Sequence, residues 1–219
     1  MTAEQLVSQS IIPLQTSDTG EVALEMMSEL GVRHLPIVNN MQLLGVISEE
    51  DVLNFDVTEA VGSYGLSLPK PYVKKTDHIL EVMRLQSELE LSLIPVVDED
   101  HNYLGSISID GLLTQFSRLA AISGPGSILV LDLNKRDYSL AEIARIVESE
   151  NMAILSSFVT TYPDSSRIDV TLKLNSQNAF NLLATFERFK YEVKATYLES
   201  DYVDSLKERY DALISYLNI

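Results

Sequence analysis

The chain contains one pattern twice. Leu35-Pro36-Ile37-Val38 returns as Ile94-Pro95-Val96-Val97, 59 positions on. At the same offset Ser28-Glu29-Leu30 returns as Ser87-Glu88-Leu89, and Asp18 as Asp77. After one inserted residue Leu44-Gly45-Val46-Ile47-Ser48 returns as Leu104-Gly105-Ser106-Ile107-Ser108. Shared order and spacing mark a structural repeat. A unit of this size buries too little apolar surface by itself, so the two copies must pack together about a pseudo-two-fold axis.

Each copy reads as β-α-β-β-α. A short strand is expected at 11–14 and again at 71–73. In the first copy Asp18 and Glu21 suit the start of a helix. Val22, Met26 and Leu30 then share one helical face, and Gly31 supplies a left-handed stop. Leu35 to Val38 begins a hairpin that turns at Asn39-Asn40 and returns through 43–47, before a short helix over 49–55. The second hairpin turns within 98–102.

Ser123-Gly124-Pro125-Gly126 breaks the pattern. The boundaries read from the sequence are repeats at 1–60 and 61–122, a linker at 123–126, a further domain at 127–200 and a terminal helix at 201–219. The further domain shows strands at 128–133, 152–161, 167–174 and 192–198 with helices at 139–148 and 178–189, a βαββαβ order of ferredoxin-like type. Ser139-x-x-Glu142 is a capping box, with Leu140, Ile143 and Val147 on one face. The terminal helix carries Val203, Leu206, Tyr210, Leu213 and Leu217 at heptad spacing.

The chain has no cysteine, which excludes disulfides and cysteine-based zinc sites. His34, His78 and His101 lack ligand spacing, so no metal site is expected. Residues 1–120 hold 6 Lys and Arg against 18 Asp and Glu, a net −12. Such a surface repels phosphate backbones, so nucleic acid is not an expected partner. The sequence shows no membrane span and no leader, which reads as a cytoplasmic protein. Nucleotide-loop, nucleophile-elbow and dinucleotide fingerprints are missing, and neither enzymatic activity nor a resident cofactor is expected.

The doubled unit, with its hydrophobic-Pro strands and Gly-x-x-Ser strand ends, resembles a CBS-domain pair. The segment 127–200, through Leu140-Ala141-Glu142-Ile143-Ala144 and its topology, is similar to an ACT domain. The order CBS-CBS-ACT resembles AcuB-type proteins by architecture. The implied fold is α/β and α+β, a CBS pair followed by an ACT-like domain. The resemblance implies a non-catalytic regulatory module. Gly45-Val46-Ile47-Ser48-Glu49-Glu50-Asp51 matches the family's adenosyl-binding motif. It implies that Ser48 meets a phosphate and Asp51 takes the ribose diol, for which two carboxylate oxygens are suited. Arg33 and His34 are implied near phosphate, and Ile12 and Leu14 near the adenine. Ser48-x-x-Asp51 is also an ordinary helix cap that needs no ligand.

The second copy has Gly111 in place of the aspartate, and Ser92 in place of Arg33. Ser108 and Lys70 remain as a degenerate second site. The acidic surface favours AMP, adenosine or S-adenosylmethionine over ATP. In the ACT-like domain Tyr138 stands where amino-acid-binding relatives carry glycine, which argues against amino-acid binding there. A homodimer is expected, joined partly through the C-terminal half. The competing reading is a ligand-free adaptor that dimerises through both kinds of domain.

Overall fold

The computed structural model describes residues 1–68, 70–197 and 216. The chain divides into two compact units, Met1–Phe116 and Ser117–Ile219.

In the first unit the repeat is written into the backbone. α1 (Gly20–Leu30), the hairpin β1 (His34–Asn39) and β2 (Gln42–Ser48), and α2 (Glu49–Leu53) form one copy. β3 (Val73–Lys74), α3 (Ile79–Glu88), the hairpin β4 (Leu93–Val97) and β5 (Tyr103–Ser108), and α4 (Ile109–Leu119) form the other. The first hairpin bulges between Ile37 and Val38 and the second between Val96 and Val97, at equivalent positions. The first turns through Asn40 and Met41, both left-handed at φ 46° and 70°, as a two-residue hairpin turn requires.

The copies exchange their opening segments. Ala3 N–H donates to Asp77 O and Glu4 N–H to Lys75 O, while Ser8 and Ser106 exchange two backbone hydrogen bonds. Ala3, with Leu6 and Val7, packs into the core of the second copy beside Val73, Ile79 and Ile94. The equivalent segment of the second copy returns the exchange. Gly20 N–H donates to Glu59 O and Gly62 N–H to Thr16 O. Val61 and Tyr64 are buried in the core of the first copy. Each segment thus completes the neighbouring repeat in sequence.

Several expectations are corrected. The strand expected at 11–14 is reduced to one parallel bridge, Leu14 to Ile37, because only Leu14 reaches β1. The strand expected at 71–73 lies at Val73–Lys74. Thr19, not Asp18, caps α1, and Asp18 Oδ2 instead accepts from Gln15 N. Asp77 Oδ2 accepts from Lys74 N in the same way. The buried face of α1 is Ala23 and Met27, while Val22 is 39% and Leu30 40% exposed. That is a turn of one residue, about 100° around a helix. Gly31 does stop α1, at φ 64°.

The second unit is βαββαβ, as read from the sequence. β6 (Ile128–Asn134), α5 (Leu140–Ser149), β7 (Ile154–Thr161), β8 (Arg167–Leu174), α6 (Phe180–Arg188) and β9 (Glu192–Tyr197) follow in order. Its strands lie β7-β8-β6-β9, all antiparallel. Ser139 caps α5, its hydroxyl accepting from Glu142 N. Leu129, Leu131, Val170 and Leu172 face Ile143, Val147 and Phe186 in a closed core. Leu140, expected on that face, is 44% exposed, and Ile146 is buried in its stead. The terminal helix expected from Val203 to Leu217 lies outside the described residues.

Candidate ligand site

The Gly45 to Asp51 motif ends β2 and opens α2. The Ser48 hydroxyl accepts from Asp51 N at 3.0 Å, and Asp51 Oδ2 accepts from Ser48 N at 3.0 Å. The other oxygen, Oδ1, accepts from Ser67 N at 3.1 Å. Asp51 is 4% exposed. Burial pushes its carboxyl up, but hydrogen bonds from Ser48 and Ser67 outweigh this and hold it below the usual carboxylate range. A buried carboxylate with both oxygens engaged is ionised and fixed in orientation.

Arg33 and His34 lead into β1 beside this cap. His34 is buried, and its Nδ1 accepts from Ser92 N at 3.2 Å across the repeat axis. That bond places the ring proton on Nε2. Burial first, then the neighbouring Arg33 charge, push the imidazole below its ordinary value despite the pull of Asp51. His34 is therefore a neutral donor at pH 7, not a second cation. Among the described residues the Arg33 side chain forms no ion pair.

A cavity of about 260 Å3 brings Arg33, His34 and Ser48 together. Its other walls are Ser67 and Leu68 from the inter-repeat segment, and Leu89 and Glu90 from the end of the α3 region. Glu49 and Glu50 complete it, so three glutamates face one arginine. Ile12 and Leu14 are not brought to this cavity. They line a separate one of about 320 Å3 beside the first hairpin turn, with Ile12 66% exposed and Leu14 fully buried. The exchange of opening segments is the reason. The stretch that faces Ser48 and Asp51 is 66–68, the equivalent of 7–9, and it comes from the second copy. Sequence reasoning missed Ser67, Leu68 and Glu90. The 59-residue offset contained the signal, since it maps Ser67 onto Ser8.

The second copy has the motif's glycine, Gly105, and serine, Ser108, but not its aspartate. Gly111 N donates to the Ser108 hydroxyl at 3.2 Å, with no carboxylate to answer it. Lys70 is exposed, and among the described residues it forms no ion pair. Lys75, close by in sequence, is held by Glu99 at 2.8 Å. Among the described residues no group of three or more His, Asp or Glu is placed to hold a metal ion. No described helix is long and apolar enough to cross a membrane.

In the second unit Tyr138 packs against the core at φ −71°. A cavity of about 390 Å3 lies near it, lined by Asp132, Asn134, Arg167 and Glu192 among others. Of the two cations that line it, Arg167 and Lys190, the arginine is already committed. Arg167 pairs with Asp132 at 2.7 Å and with Glu192 at 2.6 Å.

The fold and cap define a paired α/β module built from two copies of one repeat. The chain belongs to the CBS domain family, which matches residues 3–58 and 61–118. An uncharacterized protein of Methanocaldococcus jannaschii is 27% identical over 105 residues, covering 48% of this chain but only 40% of its own length. A CBS domain pair/ACT domain protein of Thermotoga maritima is similar in structure, at 25% identity and a TM-score of 0.49, over 54% of this chain and 98% of that one. CBSX2 of Arabidopsis thaliana, in complex with AMP, is similar at 22% identity and a TM-score of 0.46, over 53% of this chain and 96% of that one.

Proposed function

We infer that the first unit is a non-catalytic regulatory module that binds an adenosine-type ligand in the cavity beside Ser48 and Asp51. The observation that carries this reading is Arg33. It sets a guanidinium without an ion pair at a cavity that also holds the Ser48 cap. Asp51 is ionised just behind that cap, outside the cavity lining, and a vicinal diol would reach its remaining lone pairs only by displacing the Ser67 N–H or the cap. Glu49, Glu50 and Glu90 oppose added negative charge. AMP, adenosine and S-adenosylmethionine therefore suit the site better than ATP. The module works as a cytoplasmic homodimer, and ligand binding changes the geometry between its copies. Such a change requires different affinity for two states.

Thermal unfolding with each of these four compounds tests the reading. A ligand at a hundred times its dissociation constant adds about 2.7 kcal/mol of stability. Asp51→Ala should remove that gain, and light scattering should give the mass of two chains. If none of the four moves the midpoint, the reading fails.

One observation favours the ligand-free adaptor. Both Asp51 oxygens already have protein donors, so the motif is complete as a structural cap. On that reading Asp51→Ala costs stability, and no ligand response exists to be lost.

A further inference from the structure

Three residues around one cavity depart from what their equivalents in the other repeat show to be the easy choice. The first is Gln86. It is 3% exposed, and its Nε2 donates to Ile107 O at 3.1 Å, yet its Oε1 has no partner. The equivalent residue, 59 positions earlier, is Met27, also 3% exposed. A thioether of similar length fills the same kind of space without burying an unmet acceptor. The second is Glu90, which ends the α3 region at φ 51°. Its equivalent is Gly31, at φ 64°, the residue that tolerates this conformation. The backbone closure is the same in both, with Leu91 N donating to Gln86 O and Val32 N to Met27 O. The third is Arg33, a cation without an ion pair among the described residues, whose equivalent is Ser92.

All three line one cavity of about 440 Å3, together with Gly31, Ser87 and Ser92. Because Gly31 and Glu90 are equivalents, as are Arg33 and Ser92, the cavity straddles the pseudo-two-fold axis. Its size falls in the range of about 300–1,000 Å3 typical of ligand pockets. Places where a sequence departs from the locally favoured residue are expected to be functional sites. Here three such departures converge.

We propose that this axial cavity, which shares Arg33 and Glu90 with the cavity beside Ser48, is a second binding site, that its ligand is a small zwitterion of the α-amino-acid class, and that this ligand and an adenosyl phosphate compete for Arg33. The carboxylate lies on Arg33. The ammonium lies between Glu90 and the unmet Gln86 Oε1, with the Gln86 amide still held by its Nε2 bond to Ile107 O. The walls hold no aromatic ring on which a base could stack. They do present one cation and one anion, contributed by different repeats. A ligand of zero net charge also escapes the repulsion of the acidic unit.

The other repeat supplies the test variants. Thermal unfolding and calorimetry on the full chain would use the standard amino acids, with their amide and N-acetyl derivatives as single-charge controls. At least one amino acid should raise the unfolding midpoint and bind saturably. Removing either ligand charge should weaken binding at least tenfold. Arg33→Ser, Glu90→Gly and Gln86→Met should each do the same. Glu90→Gly and Gln86→Met should unfold at an equal or higher temperature, so their loss of binding is not a loss of fold. Asp51→Ala should leave the signal in place, which separates this site from the adenosyl reading. The proposal is overturned if no amino acid shifts the native chain. It is equally overturned if the three variants bind as the native chain does, which would place the ligand elsewhere. A Gln86→Met variant that is more stable and binds unchanged would make Gln86 a packing defect only.

Discussion

The two repeats solve one problem differently. Each must seat the opening segment of the other against the end of its hairpin. In the second copy the seat is backbone: Ser8 and Ser106 exchange two hydrogen bonds. In the first copy it is a side chain: Ser67 N–H is held by the Asp51 carboxylate. A backbone pair does not depend on side-chain identity or on pH, whereas a carboxylate depends on both. The copy with the aspartate therefore has the seat that responds to pH, and the copy with Gly111 has the one that does not.

The sharpest break of this comparison is steric. A Cβ on Gly105, at φ +144°, would stand 2.6 Å from Ser8 O. Gly105→Ala should cost about 3 kcal/mol through backbone strain and overpacking together. At Gly45 the same addition meets the Leu66 Cδ1 atom, the movable end of a side chain. Gly45→Ala should cost about 1 kcal/mol, the low end for overpacking. Denaturant unfolding of the two variants measures the difference, and equal costs would erase the distinction between the seats.

Next is the carboxylate. Asp51→Ala leaves Ser48 N and Ser67 N without their acceptor and should cost about 2 kcal/mol. The sign with pH follows from the lowered carboxyl. The stabilisation from Asp51 is complete above its unfolded value of about 3.9 and is lost as pH falls through the lower folded value. Asp51→Asn should flatten that acid limb, as followed by unfolding midpoints below pH 5. An unchanged limb would mean that Asp51 is not held as described.

The smallest effect is a gain. Gly111→Asp places a carboxylate where the first copy has one, in the first turn of α4. Better helix propensity and a completed capping box should add about 0.5–1 kcal/mol. The new Cβ would lie 3.2 Å from the Ser108 hydroxyl, so the side chain has little slack. A loss of stability would show that the second copy has closed around the glycine.

The hairpins were legible because two short apolar runs flank a polar turn in each copy. β8 falls on the stretch read from the sequence, Arg167–Leu174. The phase of α1 was not legible. Val22 and Leu30 are as apolar as Ala23 and Met27, and only the sheet beneath decides which pair is covered. The partners of the Ser48 motif were harder still. Periodicity reports which face of a segment is buried, not which repeat buries it. The resemblance implied Ile12 and Leu14 beside the adenine, whereas the cavity at Ser48 is walled by Ser67 and Leu68 and Ile12 and Leu14 line another. Gln86 gave no sign, because a glutamine inside an amphipathic helix reads as a surface residue until its burial is seen.

The exchanged opening segments also set a schedule for synthesis. As the chain leaves the ribosome, the first repeat finds its covering segment at once, since 57–68 follow directly. It can close, apart from the place Leu93 takes in its core, before β3 to α4 are made. Residues 1–8 have the opposite fate. Their seat is built from 73–108, so they emerge well before it and dock late, exposing Ala3, Leu6 and Val7 in the interval. The N-terminal end is thus the latch of the unit. An extension fused there would be held beside the half-made second repeat at the moment it closes.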